Sequence, residues 1–501
     1  MIKNGETKSR IGTDSIFMAV TKLIALISTL LSAKMLSTYL SLTQYGSYSI
    51  VNTIVTIMTS ITIFGLTDCV VYFYNSKKDI NEKKKYVNTI FLLEIIIAAI
   101  FGVLVCLFSP ILSQYFSFKE LYLYLFFIVL QPLIENCFSM LTALYIINGK
   151  SKLMVLRNII TSVIKLCVIC IAVMILKNLL VYFILILATN FIQLFLFWFW
   201  CNKINFTINP FNVDFKLVKQ ILMFGITISI IVLTNSLLKQ IDKLYLGGIV
   251  SVEEIGIFEN ASKQLPFDII ATSLVTIVTP LISKFVIERK NAKLASMLKC
   301  YLTLCFASVF ILAFPAILCS DDIILLLYSE DFLPGNNIFK VYTLVEIVKF
   351  CNLSIILVSD NKKAELGIVS IFALLLNLGL NRTMFSAYGT IGVAFSTLIV
   401  TLLLQAYLLI RSSTIIKTKI LDILDLKRII IILVEGGVLL LASHFLKPLV
   451  SEFVSNYILR LMIVYGCSVV ILLILNIKPL LKIFKNLNSF SYGTTEYVGE
   501  K

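Results

Sequence analysis

The stretch LSTYLSLTQYGSYSI, residues 36–50, recurs in altered form as LGGIVSVEEIGIFEN, residues 246–260. A shift of 210 positions aligns the two copies and places Gly46 on Gly256. Self-similarity at a fixed offset is the signature of an internal repeat, which determines the architecture of a chain before any single element is considered.

A second match at the same offset supports the repeat. YIINGKSKLMVLRN, residues 145–158, falls on IILVSDNKKAELGI, residues 355–368. Each period holds six helices and a loop, so we predict two six-helix bundles in the same membrane orientation, as in transporters built from parallel repeats. The predicted division is an N-terminus 1–11, a first lobe 12–201, a linker 202–215, a second lobe 216–411, two added helices in 428–477 and a cytoplasmic tail 478–501.

The composition identifies the class of protein. Hydrophobic residues make up 59% of the chain and charged residues 14%, against roughly 45–50% and 25% in soluble domains. Apolar stretches of about 20 residues, enough to cross a bilayer, recur along the chain. The sequence therefore predicts an all-α integral membrane protein with about fourteen transmembrane helices. The predicted spans are 12–37, 46–74, 87–112, 121–148, 152–176, 179–201, 216–246, 255–285, 294–319, 337–358, 364–386, 389–411, 428–447 and 454–477.

The formal net charge of +15 is concentrated in alternate loops. Such an asymmetry is the positive-inside pattern, which predicts that both termini are cytoplasmic. Basic loops also suit anionic lipid headgroups, so the charge implies membrane lipids as partners and no nucleic acid. The predicted cytoplasmic segments include the group Lys150, Lys152 and Arg157.

Motifs for catalysis or metal binding are missing from the sequence. Gly149-Lys150-Ser151 resembles the end of a phosphate-binding loop, but the earlier glycine that this loop requires would fall at Leu144. His444 is the one histidine of the chain, which excludes histidine-based metal clusters. No soluble segment is long enough for a catalytic domain, so we predict neither an enzyme nor a metal site nor a cofactor.

Ionisable side chains at membrane depth mark functional sites by default, because burying them costs roughly 2.5–3.5 kcal/mol each on insertion scales. Five lie near the middle of predicted spans: Lys22, Glu135, Lys165, Glu346 and Lys349. For Lys22 we favour exposure to a cavity. Lys165 and Glu135 form either a structural pair or a functional one. Glu346 and Lys349 likewise either neutralise each other as a structural pair or have a functional role. Glu94 and Asp68 are nearer the cytoplasmic ends of their helices, where solvation at the interface explains them.

A second group of charges lies at the outer rim. Lys239, Asp242 and Lys243 follow an uncharged run of helix and, at spacings of three and four, share one helix face. Either the lysines extend to lipid headgroups while Asp242 pairs with one of them, or this face forms a basic mouth for an anionic substrate. Lys34 and Arg382, near the outer ends of their helices, would complete such a mouth. Asp268 is a candidate for ion coupling.

Four stretches resemble a known family. They are AKMLSTYLSLTQYGSYSIVNTIVTIMTSITIFGL (33–66), QIDKLYLGGIVSVEEIGIFENASKQL (240–265), DDIILLLYSEDFLPG (321–335) and YGTIGVAFSTLIV (388–400). Together they are similar to the signatures of polysaccharide flippases, which transport O-antigen or capsule repeat units. This family is part of the multidrug, oligosaccharidyl-lipid and polysaccharide exporter superfamily. The resemblance covers about residues 12 to 411.

The resemblance implies a flippase that moves undecaprenyl-diphosphate-linked oligosaccharide units from the inner to the outer leaflet of a bacterial inner membrane by alternating access. A cationic, wet chamber would bind the diphosphate, and a glycan polymerase and a ligase would be partners. H+ or Na+ would be the coupling ion. The substrate-binding cations that we expect are Lys22, Lys239, Lys243, Lys349 and Arg382. The carboxylates that we expect in coupling or pairing are Glu135, Asp242 and Asp268.

Three alternatives stay open at this point. A cation-coupled multidrug antiporter of the same superfamily would want acidic residues in the first lobe, where helix one offers Lys22 instead. A lipid II flippase would place arginines in helix one, and the sequence has none within that span. A membrane scaffold for glycan assembly would tolerate neutral residues at Lys22 and Lys349.

Overall fold

The computed structural model describes residues 24–203, 208–209 and 212–492, and every regular element in these ranges is a helix. Contacts divide the described chain into two compact units, one ending at Ile257 and the other beginning at Phe258. The helix after the predicted linker thus groups with the first unit. The lobe boundaries inferred from the repeat stay a prediction.

The helices of the first unit begin with α1, Ile24–Tyr39. They continue as α2 Leu42–Thr62, α3 Leu66–Ser76, α4 Ile80–Tyr115, α5 Leu121–Ile128, α6 Gln131–Ile147, α7 Ser151–Ile169 with a π-helical end Cys170–Ile175, α8 Leu179–Lys203 and α9 Val218–Gly247. The next helix, α10 Val252–Ser262, runs across the boundary between the units.

The second unit holds the remaining helices. They are α11 Ile269–Ile287, α12 Asn291–Leu318, α13 Ser320–Leu327, α14 Asn336–Val348, α15 Ser354–Ser359, α16 Lys363–Tyr388, α17 Thr390–Ile416, α18 Ile420–Ile423, α19 Leu426–Phe453 and α20 Tyr457–Tyr492. The predicted last span stops at residue 477, whereas α20 continues to Tyr492, so the first part of the predicted tail is helical.

Ten helices in the described residues are long and apolar enough to cross a membrane, or up to twelve if two bent pairs each count as one span. The chain is therefore a multi-pass membrane protein, but the predicted count of fourteen is not confirmed. The predicted span 337–358 shows one reason, because it breaks at Lys349 into α14 and α15. Average hydropathy over a window does not register such a break.

The span formed by α2 and α3 is broken in its middle. Phe64 has φ 43° and Gly65 has φ 67°, a left-handed conformation that is strained for a bulky side chain such as Phe64. A Cβ on Gly65 would lie 2.7 Å from the carbonyl oxygen of Gly225 in α9. The break is therefore held against α9 by a backbone contact that only glycine permits.

Residues that the repeat aligns contact one another where α2 meets α10. A Cβ built on Gly256 would lie 3.0 Å from the backbone nitrogen of Gly46. Thr43 Oγ1 donates a hydrogen bond to Glu253 Oε1, again across 210 positions. This hydrogen bond holds the pKa of the Glu253 carboxyl, which precedes the predicted eighth span, below its usual range.

The two C-terminal helices are attached to the second unit by charged and polar contacts. Arg460 on α20 forms an ion pair with Asp322 on α13, and Lys447 on α19 pairs with Asp321 at 3.0 Å. Both helices also pack on α12. They are therefore part of the folded second unit.

Candidate functional site

Two adjoining cavities lie inside the first unit. The larger has a volume of about 590 Å³ and the smaller about 210 Å³. They share three lining residues, Glu135, Thr161 and Asn190. We call them the first-unit cavities. The larger volume lies within the range of small-molecule binding sites, which is typically about 300–1,000 Å³, and the smaller lies below it.

One face of α7 supplies the cations of these cavities. Arg157 lines the larger cavity, Lys165 lines the smaller, and Thr161 between them lines both. Successive spacings of four residues place the three side chains on one face of the helix. Thr161 Oγ1 donates to Gln193 Oε1 at 2.7 Å, which ties this face to α8.

Glu135 of α6 is the carboxylate between the two cavities. Gln131 Nε2 donates to its Oε1 at 2.8 Å, and Thr59 Oγ1 donates to its Oε2 at 3.2 Å. Lys165 lies within electrostatic range of Glu135. The side chain of Glu135 is exposed, and its exposed surface faces the two cavities.

The guanidinium of Arg157 is held by an aromatic ring. Its central carbon lies 3.6 Å from the centroid of the Phe138 ring, within the range of a cation–π contact. Its Nε is buried and has no hydrogen-bond partner among the described residues. Arg157 thus presents an oriented cation at the wall of the larger cavity, and a guanidinium suits a phosphate or carboxylate.

Aromatic rings form one wall of the smaller cavity. The ring of Tyr48 is 5.8 Å from that of Tyr182 and stacks on Phe183 at 6.0 Å. Asn52 and Gln193 supply amides to the same cavity. Such a combination of apolar rings and polar groups can bind a ligand that is both polar and ring-shaped.

The charged groups lining the two cavities are two cations and one carboxylate. Their balance favours a polar ligand with net negative charge over a cation. In the part of the chain that the structure describes, no group of three or more His, Cys, Asp or Glu residues is arranged to hold a metal ion.

The predicted rim residues on α9 differ in their environments. Lys239 is exposed and Lys243 is half-buried, whereas Asp242 is 3% exposed. The three positions share a helix face, but Asp242 is turned into the protein. Arg382 is exposed on α16. Lys22 lies outside the described residues.

In the second unit, one predicted cation and one predicted carboxylate lie near a common partner. Lys349 is exposed at the end of α14, and Asp268 is exposed at the start of α11. Both lie within electrostatic range of Glu346. Of the seven predicted site residues that the structure describes, Glu135 is the one that lies on the first-unit cavities.

Sequence reasoning missed two charged residues of the first unit. Arg157 was grouped with the cytoplasmic lysines, although its spacing of eight residues from Lys165 already indicated a shared face. The position of Glu94 along its helix predicts solvation at the interface, but the side chain is fully buried, with 0% exposure. That expectation was wrong because depth along a helix does not show which way a side chain points.

A comparison with sequence families identifies one match. The profile of a family described as "Polysaccharide biosynthesis protein" matches residues 35–335, which is more than half of the chain. No curated protein matches at a significant level.

Comparison with solved structures shows a shared fold. A lipid II flippase MurJ in an inward closed conformation superposes with a TM-score of 0.71 at 17% identity, over 93% of this chain and 99% of that one. An inward-facing multidrug resistance MATE family transporter of the MOP superfamily gives 0.63 at 12% identity, over 81% and 99%. A MOP superfamily transporter from Pyrococcus furiosus, described as having a binding pocket of reverse polarity, gives 0.56 at 15% identity, over 82% and 96%. At these identities the likeness concerns the fold.

Proposed function

The chain belongs to the family of polysaccharide biosynthesis proteins, and we propose that it is a flippase for oligosaccharides linked to undecaprenyl diphosphate. It would carry the repeat units of a surface glycan from the inner to the outer leaflet of a bacterial inner membrane. The fold that it shares with a lipid II flippase and with MATE transporters supports a transport function.

The observation that carries the proposal is the cationic face of α7. Arg157 and Lys165 line adjoining cavities whose walls also hold amides, hydroxyls and aromatic rings. A diphosphate requires cations, and the sugars require hydrogen-bonding groups and flat apolar surfaces. The lipid tail requires no cavity, because it remains in the bilayer during transfer.

The remaining predicted cations have supporting roles in this proposal. Lys239, Lys243, Lys349 and Arg382 would attract the diphosphate at the openings of the pathway, where partial exposure suits an electrostatic guide. Lys22, outside the described residues, stays a proposed cavity residue. A gradient of H+ or Na+ would drive alternating access, and glycan polymerase and ligase proteins would act on the product.

The multidrug antiporter is the second candidate, because Glu135 places a carboxylate in the cavities and the fold is that of MATE transporters. The two functions differ in the charge of the cargo. Cationic drugs would be repelled by Arg157 and Lys165, so neutralising these residues should improve the export of a cationic drug and impair that of an anionic glycan.

Replacing both Arg157 and Lys165 with glutamine is expected to reduce glycan export about 10- to 100-fold. A reduction of this size corresponds to losing the free energy of one charge-assisted hydrogen bond to the substrate. Lipid-linked oligosaccharide on the inner leaflet should accumulate correspondingly, and both quantities are measured relative to the amount of folded protein. Lys150→Gln is the matched control, since Lys150 is exposed at the start of the same helix. Unchanged export by the double variant would contradict the proposal, as would an equal loss in the control.

A further inference from the structure

The last helix, α20, is longer than a membrane span. It has 36 residues, a length of about 54 Å at about 1.5 Å per residue, whereas the hydrocarbon core of a bilayer is about 30 Å thick. Arg460 and Lys478 enclose an uncharged run, residues 461–477, that is about 26 Å long. This run accounts for most of the core, so Lys478 lies at its edge and the rest of α20 extends beyond it.

Three lysines lie on one face of this extension. Lys478, Lys482 and Lys485 follow at spacings of four and three residues, and all three are exposed. We call them the lysine stripe. α20 contains no aspartate or glutamate, so no carboxylate of the same helix neutralises the stripe. Its rise along the helix is about 10 Å, which is enough to cross a headgroup layer about 5–8 Å thick.

An apolar ridge runs beside the lysine stripe. It consists of Ile474, Ile477, Leu481 and Phe484, at spacings of three and four residues, and its members are between 41% and 68% exposed. The last three members each directly precede a lysine of the stripe. Apolar surface that continues past the hydrocarbon edge is unfavourable in water and is covered when the helix lies among lipids. The apolar ridge therefore favours contact with lipid over projection into water.

The opposite face of the extension is attached to the protein. Leu487 is 4% exposed, and Leu480 and Ile483, which precede it on the same face, are half-buried. α20 packs on α12 and α13 of the second unit. Packing on this side fixes the rotation of the helix about its axis, so the lysine stripe is turned outward as an oriented surface.

We propose that the lysine stripe binds the phosphate groups of anionic phospholipids in the leaflet at which α20 ends. An ammonium group is a compact cation with three hydrogen-bond donors, which suits a phosphodiester. The apolar ridge would lie against the acyl chains of the same lipids, beside the stems of the lysines. The positive-inside pattern predicts that this leaflet is the cytoplasmic one. The ligand is a component of the membrane and not the cargo, so the inference does not depend on the proposed function.

Bound lipid would hold α20 from its second end. At the first end, Arg460 is fixed to Asp322 of α13 by an ion pair. At the other end, the lysine stripe would be fixed to headgroups. Anchors at both boundaries of a span set its depth and tilt in the bilayer. The second unit would thus be positioned in the membrane by α20.

The test is photocross-linking of the purified full-length protein in nanodiscs of phosphatidylcholine. The probe is phosphatidylglycerol with a photoreactive headgroup, and phosphatidylcholine with the same photoreactive group is the zwitterionic comparison. Cross-linked peptides from residues 478–492 are quantified by mass spectrometry after digestion with a protease that does not cut at lysine. Half-maximal labelling should require about 10-fold less of the anionic probe than of the zwitterionic one.

Replacing Lys478, Lys482 and Lys485 together with glutamine should abolish the preference for the anionic probe. Each single glutamine variant should reduce the preference about 5-fold or less, because the three lysines act together on a charged surface. Arginine at all three positions keeps the charge and adds donors for phosphate, so the arginine variant should retain the preference.

The matched control removes three lysines from another predicted cytoplasmic segment. Lys78, Lys84 and Lys85 lie just before α4 and near its start, outside the second unit. Replacing them with glutamine changes the net charge by the same amount as the triple variant of the lysine stripe. Labelling of residues 478–492 in this control should equal that of the wild type.

Three results would overturn the site. They are equal labelling by the two probes, a triple glutamine variant that keeps the wild-type preference, and an equal loss in the control, since the preference would then follow net charge. Absence of labelling at residues 478–492 by either lipid would also contradict the proposal and leave the stripe available to an acidic protein. A protein that binds the anionic lipid as expected but transports no glycan would count against the proposed function alone.

Discussion

The Gly46→Ala variant is expected to lose about 3 kcal/mol or more of folding free energy, beyond the usual range of overpacking. A Cβ at this position would lie 1.9 Å from the carbonyl oxygen of Val252 and 2.8 Å from its Cγ1. The first of these neighbours is backbone, so relief requires α10 to move away from α2. That movement would also stretch the hydrogen bond between Thr43 and Glu253.

The measurement for Gly46→Ala is the Tm in detergent, where we expect a fall of about 3 °C or more. Gly379→Ala is the matched control, since a Cβ on Gly379 in α16 would meet nothing within 4 Å. Alanine in a helix is otherwise favoured over glycine by about 0.5–1 kcal/mol, so the control should be slightly more stable than the wild type. Equal Tm values for the two variants would show that α2 and α10 do not approach this closely.

The Asp322→Ala variant is expected to destabilise the protein by about 3 kcal/mol, the lower end of the range for breaking a buried ion pair. Asp322 is 0% exposed, and the side chain of Arg460 is 18% exposed. Both the Nε and an Nη of Arg460 donate to the same oxygen, Asp322 Oδ1. Removing the carboxylate leaves a guanidinium charge in a mostly buried position at the start of α20.

The measurements for Asp322→Ala are the Tm, which should fall, and the rate of protease cleavage between α19 and α20. Cleavage should increase because α20 is less firmly attached to the second unit. Asp321→Ala is the control at the adjacent position. Asp321 forms an ion pair with Lys447, and the two side chains are 43% and 27% exposed, respectively. Exposed pairs contribute about 0–1 kcal/mol, so this variant should lose much less stability. If the double variant Asp322→Ala, Arg460→Met remains as unstable as Asp322→Ala, the unpaired charge is not the cause.

The candidate site was only partly predictable. Lys165 and Glu135 could be singled out because both are ionisable and lie in the middle of apolar stretches. Arg157 and Glu94 could not be singled out by depth, since Arg157 lies near the start of α7 and Glu94 lies toward the cytoplasmic end of its predicted span, 87–112. Their environments depend on the direction of the side chain and on neighbours from other helices, Phe138 for Arg157 and Asn136 for Glu94.

By itself the sequence determined the class of the protein and the approximate limits of most spans. These properties depend on local composition and on spacing along the chain, which folding does not alter. The tertiary structure alone decided that Gly46 and Gly256 touch, that Asp242 turns inward while Lys239 does not, and that the α2–α3 span is broken. Contacts between distant helices depend on how whole faces pack, and apolar periodicity leaves that packing open because nearly every face of these helices is hydrophobic.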